Sequence, residues 1–227
     1  METPILFDNL ELVKEPGQLV AAQIGSTVYS GLDSPILLAQ DSSGGCGGMI
    51  WKAASVMIEY FIWKKQCSND FLTNKIVVDI GSGTGLVGLA IAKIYPQVKK
   101  VMLTDQIPMM ELLTKNIGLN KLDNVVNAKI LNWGEAIPEE SELLEADVIL
   151  ASDCVYLEVC FIPLIETFLA LSKKETLIYL AYNKRRKADK RFFQLARKKF
   201  EIIDVIDDPK REIYNREGIR LFALKRK

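Results

Sequence analysis

A chain of 227 residues holds one well-filled α/β domain and is short for two. Lysine plus arginine equals aspartate plus glutamate at 29 each, so no global basic field gathers nucleic acid, and no apolar run approaches the roughly 18 residues of a membrane span. The chain contains no histidine, which excludes Ser-His and Cys-His nucleophile systems and any histidine general base.

Met1 to Leu12 carries acids where a signal peptide carries lysines, which predicts a soluble, cytoplasmic protein. Cys46, Cys67, Cys154 and Cys160 form no C-x-x-C pair and read as buried reduced thiols rather than metal ligands. Residues 1–40 are strand-like and turn-rich, from Ile5-Leu6-Phe7 through Gly17, Gly31 and Pro35. The tract Ser42-Ser43-Gly44-Gly45-Cys46-Gly47-Gly48, a lid or a linker, leads past Trp51 into a predicted helix over 53–65, where Val56, Met57, Tyr60 and Phe61 recur at helical spacing. The expected organisation is an N-terminal extension over 1–44 that packs on or caps the core, followed by one domain over 45–227.

From Lys75 onward, β-rich runs alternate with helical patterns, the signature of a mostly parallel sheet covered on both faces. Strands are predicted at 75–80, 99–104, 126–131, 146–152, 176–182, 200–207 and 219–225, and helices at 85–95, 108–120, 160–172 and 187–199. No helical pattern separates the last two strands, which predicts a closing antiparallel hairpin joined by a polar loop from Asp207-Asp208-Pro209 to Gly218. The expected fold class is a Rossmann-like α/β sandwich: seven strands, mostly parallel, with an antiparallel last strand.

The run Ile76-Val77-Val78-Asp79-Ile80-Gly81-Ser82-Gly83-Thr84-Gly85-Leu86 reads as a buried strand, a glycine-rich turn and the start of a helix. A dinucleotide fingerprint is G-x-G-x-x-G, whereas this turn is G-x-G-x-G with Asp79 two residues ahead of the first glycine. That carboxylate repels a pyrophosphate and suits a cationic amino-acid end, such as the methionine part of S-adenosylmethionine. Asp79 is otherwise a helix first-turn acid favoured by the dipole. Asp105 ends the next strand run, where such folds place an acid that accepts the ribose hydroxyls, or it caps the helix that Pro108 begins.

Farther along, Leu131-Asn132-Trp133-Gly134 puts a large aromatic at a strand's carboxyl end, beside an adenine ring or in the core. The run ending at Ser152 is followed at once by Asp153-Cys154-Val155-Tyr156, which brings an acid and a phenol to the central crevice, or a helix cap and a packing aromatic. The basic run Lys184-Arg185-Arg186-Lys187 reads as a solvated helix start, a nuclear signal or a contact for an acidic partner.

Taken in order, I-W-K-A-A, D-I-G-S-G-T-G-L-V-G, W-G and D-C-V-Y resemble the eukaryotic seven-strand protein-lysine methyltransferases, in the methyltransferase-like group that contains elongation-factor lysine methyltransferases. The resemblance spans about residues 45–227. It implies S-adenosyl-L-methionine as cofactor, held by Asp79, Gly81, Ser82, Gly83, Gly85 and Asp105, with Trp51 and Trp133 bordering it and Ser152 near the adenine. It implies that Asp153 and Tyr156 form the methyl-transfer station. It further implies a protein substrate, with translation elongation factor 1-alpha first, and a monomer acting without nucleic acid, membrane or metal. Two other readings stay open here: an RNA-base or glutamine N-methyltransferase, whose post-strand motif reads (N/D)-P-P-(Y/F), and a catalytically silent cofactor-fold partner protein.

Overall fold

A computed structural model describes residues 22–42 and 46–227. The expectations at Ile5-Leu6-Phe7, at Gly17 and at Ser43-Gly44-Gly45 lie outside the described residues. A hairpin comes first, with β1 (Gln23–Thr27) and β2 (Ile36–Gln40) paired antiparallel. Helix α1 (Lys52–Cys67) follows, then β3 (Ile76–Ile80), α2 (Leu86–Ile94), β4 (Lys100–Asp105), α3 (Met110–Leu119) and β5 (Val126–Ile130). The second half runs β6 (Val148–Ser152), α4 (Phe161–Leu171), β7 (Leu177–Asn183), α5 (Asp189–Ala196), β8 (Phe200–Asp204), α6 (Arg211–Arg216) and β9 (Ile219–Arg226).

The seven strands β3 to β9 lie in the order β5-β4-β3-β6-β7-β9-β8. Strands β3 to β7 are parallel, and β9 inserts between β7 and β8, antiparallel to both. This is the predicted seven-strand, Rossmann-like architecture. Successive residues of the central strands enter opposite cores, as a period of two requires. Val77, Val101, Leu103, Val148, Leu150 and Tyr179 pack toward α1, α2 and α3. Val78, Met102, Ile149, Ala151, Ile178 and Leu180 pack toward α4 and α5. On that second face Phe161, Phe168, Phe192 and Phe200 are buried, each contributing on the order of 3 kcal/mol by leaving water.

The chain leaves β3 toward β4 and β5, then returns to place β6 on the other side of β3. The carboxyl ends of β3 and β6 therefore flank the switch point, where helices diverge and a crevice opens. Among the described residues no helix is long and apolar enough to cross a membrane.

Two expectations are corrected. The connection from β8 to β9 is not a plain loop: α6 occupies Arg211–Arg216 and buries Tyr214. Six residues with one buried side chain are too few to show a helical period in the sequence. The thiols also are not uniformly buried, because Cys67 stands exposed where the last turn of α1 leaves the core, whereas Cys154 is buried and Cys160 half-buried.

The hairpin is fastened to the core by side-chain amides. Leu37 and Ala39 of β2 turn their backbone N–H and C=O groups toward α3. There Asn120 accepts from Leu37 N at 3.0 Å and donates to Leu37 O at 2.7 Å. Asn116, one helical turn earlier, accepts from Ala39 N at 2.6 Å and donates to Ala39 O at 3.0 Å. Spacings of i, i+4 on a helix and i, i+2 on a strand match in length, so the two amides stand in for a neighbouring strand and satisfy this edge. Asn116 also donates to Thr84 O at 2.8 Å, tying the hairpin to the glycine turn.

Asn116→Ala is expected to lower stability by about 3 kcal/mol, because it strands buried backbone groups, and Asn120→Ala by about 1 kcal/mol or less at its exposed site. Urea denaturation of both variants measures the difference.

Candidate active site

The glycine turn is built against the end of β4. Ser82 N donates to Thr104 O at 3.0 Å, Thr104 Oγ1 donates to the Asp79 carbonyl at 2.9 Å, and Gly83 N donates to Asp105 Oδ2 at 2.8 Å. The turn needs positive φ at Gly81 (57°) and Gly83 (56°), a region that a Cβ disfavours. Space decides the same way. A Cβ on Gly81 would lie 2.8 Å from Trp133 Cζ2, and one on Gly83 would lie 2.6 Å from the Gly47 carbonyl oxygen. Gly85, also at positive φ, caps α2. Trp133 and the Cys46–Gly48 turn thus press on the glycines from two sides.

Two acids sit behind this turn. Asp79 is buried and accepts from Gly88 N, in the first turn of α2, at 3.0 Å. Burial pushes its pKa up to about 7, partly offset by the Gly88 hydrogen bond and reinforced by the charge of Asp105. Burial likewise raises the pKa of Asp105, against the hydrogen bonds its carboxylate accepts from Gly83 N and Gln106 N. Among the described residues neither acid has an ion-pair partner.

Across the switch point, Ser152 ends β6 with its hydroxyl buried and without a hydrogen-bond partner. Asp153 follows at φ 61°, an uncommon backbone for an aspartate, fixed by its N–H donating to Ala181 O at 2.8 Å. Cys154 turns inward and its Sγ donates to the Ile80 carbonyl at 3.2 Å, joining this loop to the strand that feeds the glycine turn. Burial drives the Cys154 thiol well above its usual pKa, so it is inert packing rather than a nucleophile. Tyr156 is half-buried, and its backbone carbonyl accepts from Arg186.

The basic run is not a uniform solvated surface. Arg185 reaches back to Asp153, with Nη1 on Oδ1 at 2.6 Å and Nη2 on Oδ2 at 2.5 Å, and its guanidinium lies 5.4 Å from the centre of the Trp51 ring. Arg186 bonds Tyr156 O and pairs with Asp189 at 3.3 Å. Asp189 is buried at the start of α5, where it also accepts from Arg185 N, Arg186 N and the Tyr182 hydroxyl. Lys184 and Lys187 are exposed, whereas Arg185, partly exposed, and Arg186, half-buried, turn their guanidinium groups to protein partners. The roles of Arg185, Arg186, Asp189 and Asn116 are absent from the sequence reading. The visible signal was a double arginine straight after a strand at the sheet's carboxyl edge.

A family description, lysine methyltransferase, matches residues 32–199. The chain belongs to this family. Protein-lysine N-methyltransferase EFM6 of Saccharomyces cerevisiae is 38% identical over 202 residues, covering 81% of this chain and 82% of that protein. Protein N-lysine methyltransferase METTL21A of Xenopus tropicalis is 34% identical over 173 residues, covering 75% and 76%. Among solved structures, TYW2 of P. horikoshii in complex with MeSAdo matches with a TM-score of 0.54 at 18% identity, over 90% of this chain and 70% of that one. Mitomycin 7-O-methyltransferase MmcR matches with a TM-score of 0.53 at 14% identity, over 77% and 54%, and both likenesses concern the fold. The chain is a protein-lysine N-methyltransferase of the S-adenosylmethionine-dependent class.

The residues present fit that cofactor. Three glycines without Cβ atoms, one buried and one half-buried acid without cations and a buried hydroxyl without a partner surround one crevice, and they complement a molecule with an ammonium group, a diol and polar ring edges.

Because the folded state raises the Asp79 pKa from 3.8 to about 7, it binds the proton more tightly than the unfolded chain does, and this group's contribution to stability declines as pH rises across that interval. Asp79→Asn keeps an acceptor for Gly88 N and has no charge to bury. Ligand-free stability at about pH 7.5 is expected to rise, and the decline between about pH 4 and 7 to flatten, as read by denaturant titration at several pH values. Gly83→Ala is expected to remain folded and to lose more than about tenfold in S-adenosylhomocysteine affinity by calorimetry, since the new methyl meets the Gly47 backbone.

Proposed function

We propose that the acceptor is a lysine of a translation elongation factor, with elongation factor 1-alpha first, methylated in the cytoplasm by the monomeric protein. In this reading residues 1–44 are an extension that shapes the substrate face, and residues 45–227 are the catalytic domain. What supports the reading is the lysine-specific resemblance of Asp153-Cys154-Val155-Tyr156 together with the Cys154–Ile80 hydrogen bond, which joins this loop to the strand that feeds the glycine turn.

In this reading Asp79 takes the amino group of the cofactor, and Asp105 the ribose hydroxyls. Gly81, Ser82, Gly83 and Gly85 line its approach, Trp51 and Trp133 border it, and Ser152 gives its spare hydroxyl to the adenine edge. When bound, S-adenosylmethionine supplies a methyl carbon already activated on a sulfonium, which a neutral amine nitrogen takes while the sulfur keeps the bonding electron pair. The protein's task is to align and to exclude water. A lysine with pKa about 10.4 is protonated at neutral pH, so the site must admit the neutral amine. Asp153 and Tyr156 shape the acceptor's entry, Tyr156 with a phenol that can accept a hydrogen bond or face a cation. No histidine is available to take the proton, which leaves for water before the amine closes on the methyl group.

Labelled S-adenosylmethionine with purified elongation factor 1-alpha is expected to give a methylated lysine by mass spectrometry. Label on another protein of a cell extract and none on this one would overturn the substrate reading. Asp105→Ala is expected to weaken S-adenosylmethionine binding by at least about tenfold in calorimetry, and unchanged affinity would refute the ribose role.

A further inference from the structure

The feature of the site that the cofactor does not explain is the Asp153–Arg185 pair. Asp153 is 8% exposed, and both its carboxylate oxygens are bonded to one guanidinium in the fork geometry that arginine alone provides. The arginine is itself held. Its own N–H donates to Asp189, its neighbour Arg186 is anchored to Asp189 and to the Tyr156 carbonyl, and its guanidinium covers the Trp51 ring. A buried carboxylate held by a partly exposed arginine that is itself braced on three sides does not turn to an incoming ammonium without leaving the guanidinium unpaired.

The chemistry asks for the opposite of a free carboxylate. A lone Asp153 anion beside the acceptor would stabilise the ammonium form and raise the amine's pKa, removing the lone pair that attacks the methyl carbon. With its charge cancelled by Arg185, the same loop offers no anion to capture that proton. Resting on the acceptor-site reading of Asp153 and Tyr156, we propose that Arg185 is a positioning residue for methyl transfer: by holding both Asp153 oxygens it keeps this carboxylate from trapping the acceptor lysine as an ammonium, so that the amine reaches the methyl group neutral.

The other charged and titratable groups facing the pair belong to every element around it. Asp189 comes from α5 and Tyr182 from β7, Arg186 lies on the same loop, Cys154 is on the loop after β6, and beyond it stand Asp79 and Asp105 at the ends of β3 and β4. Asp189 is committed to Tyr182, Arg185 N and Arg186, and burial holds the Cys154 thiol well above its usual pKa, so Asp153 is the carboxylate of this loop whose charge Arg185 balances.

The test compares wild type, R185Q, R185K and the double variant D153N/R185Q. Labelled S-adenosylmethionine at saturation reacts in single turnovers with a heat-treated cell extract, followed on the protein band that wild type labels. Below the amine's apparent pKa the rate rises about tenfold per pH unit. R185Q is expected to shift that profile upward by about one unit or more, so its rate at about pH 7.5 falls tenfold or more and recovers at about pH 10. R185K should stay within about half a unit of wild type, and D153N/R185Q should return toward wild type because the anion has gone with the cation. S-adenosylhomocysteine affinity, read by calorimetry, should stay within about twofold in all variants. A uniform loss of rate in R185Q with an unmoved profile, no recovery in the double variant, or a fall in S-adenosylhomocysteine affinity matching the fall in rate would overturn the proposal while leaving the acceptor site in place. If wild type labels no band, the acceptor reading itself falls and this proposal with it.

Discussion

The rest of the structure depends on a close approach: backbone against backbone and indole against backbone at the glycine turn after β3. Gly83 lies against the Gly47 carbonyl and Gly81 against Trp133, at separations that a single methyl group would close. Because Gly81 and Gly83 carry no side chains, the turn can press this closely on its neighbours while Gly83 N bonds Asp105. The Cys46–Gly48 turn can then settle on one side and Trp133 on the other. Asn116 binds the carbonyl of Thr84 in the same turn and carries the constraint to the hairpin. The Cys46–Gly48 turn, Trp133, the end of β4 and α3 are thus registered against one five-residue segment.

Charge is distributed unevenly about that segment. On the β3 and β4 side, Asp79 is buried and Asp105 half-buried, neither with a cation among the described residues, and desolvation raises the pKa of both. On the β6 side, Asp153 is buried with a bidentate arginine. The first pair stores unfavourable electrostatic energy that a cationic ligand would relieve, so stability is lower there in exchange for affinity. The second is self-compensated and adds no anion to the crevice. Under the proposed reading this asymmetry suits the chemistry, which attracts a cationic donor and accepts the second reactant as a neutral amine.

Much of this was legible along the chain. The seven strands stand within one to three residues of their predicted bounds, because central parallel strands are buried on both faces and read as unbroken apolar runs. The glycine turn, Asp79, Asp105, Trp133 and the loop after β6 were visible because each lies at or just past the carboxyl end of a strand, the edge at which ligands bind in such sheets. The inward course of Arg185 and Arg186 was not visible. A basic run on a chain looks alike whether it points to water or folds back, and the partners here lie 32 and 30 residues away in sequence. The amide ladder of Asn116 and Asn120 was hidden for the same reason, its strand partners lying 77 and 83 residues upstream.

What the sequence determined by itself is whatever depends on local covalent freedom and period: the strands, the principal helices, the glycine turn and, through its motifs, the family. What only the tertiary structure decided is how charges and amides are paired across distance: which acids are left without a cation, which one is closed by Arg185, and how the hairpin's outer edge is satisfied. Backbone freedom and hydrophobic period are properties of neighbouring residues. Ion pairing and polar satisfaction depend on three-dimensional separation and burial, and those exist only once the sheet has brought the ends of β3, β4, β6 and β7 to one edge.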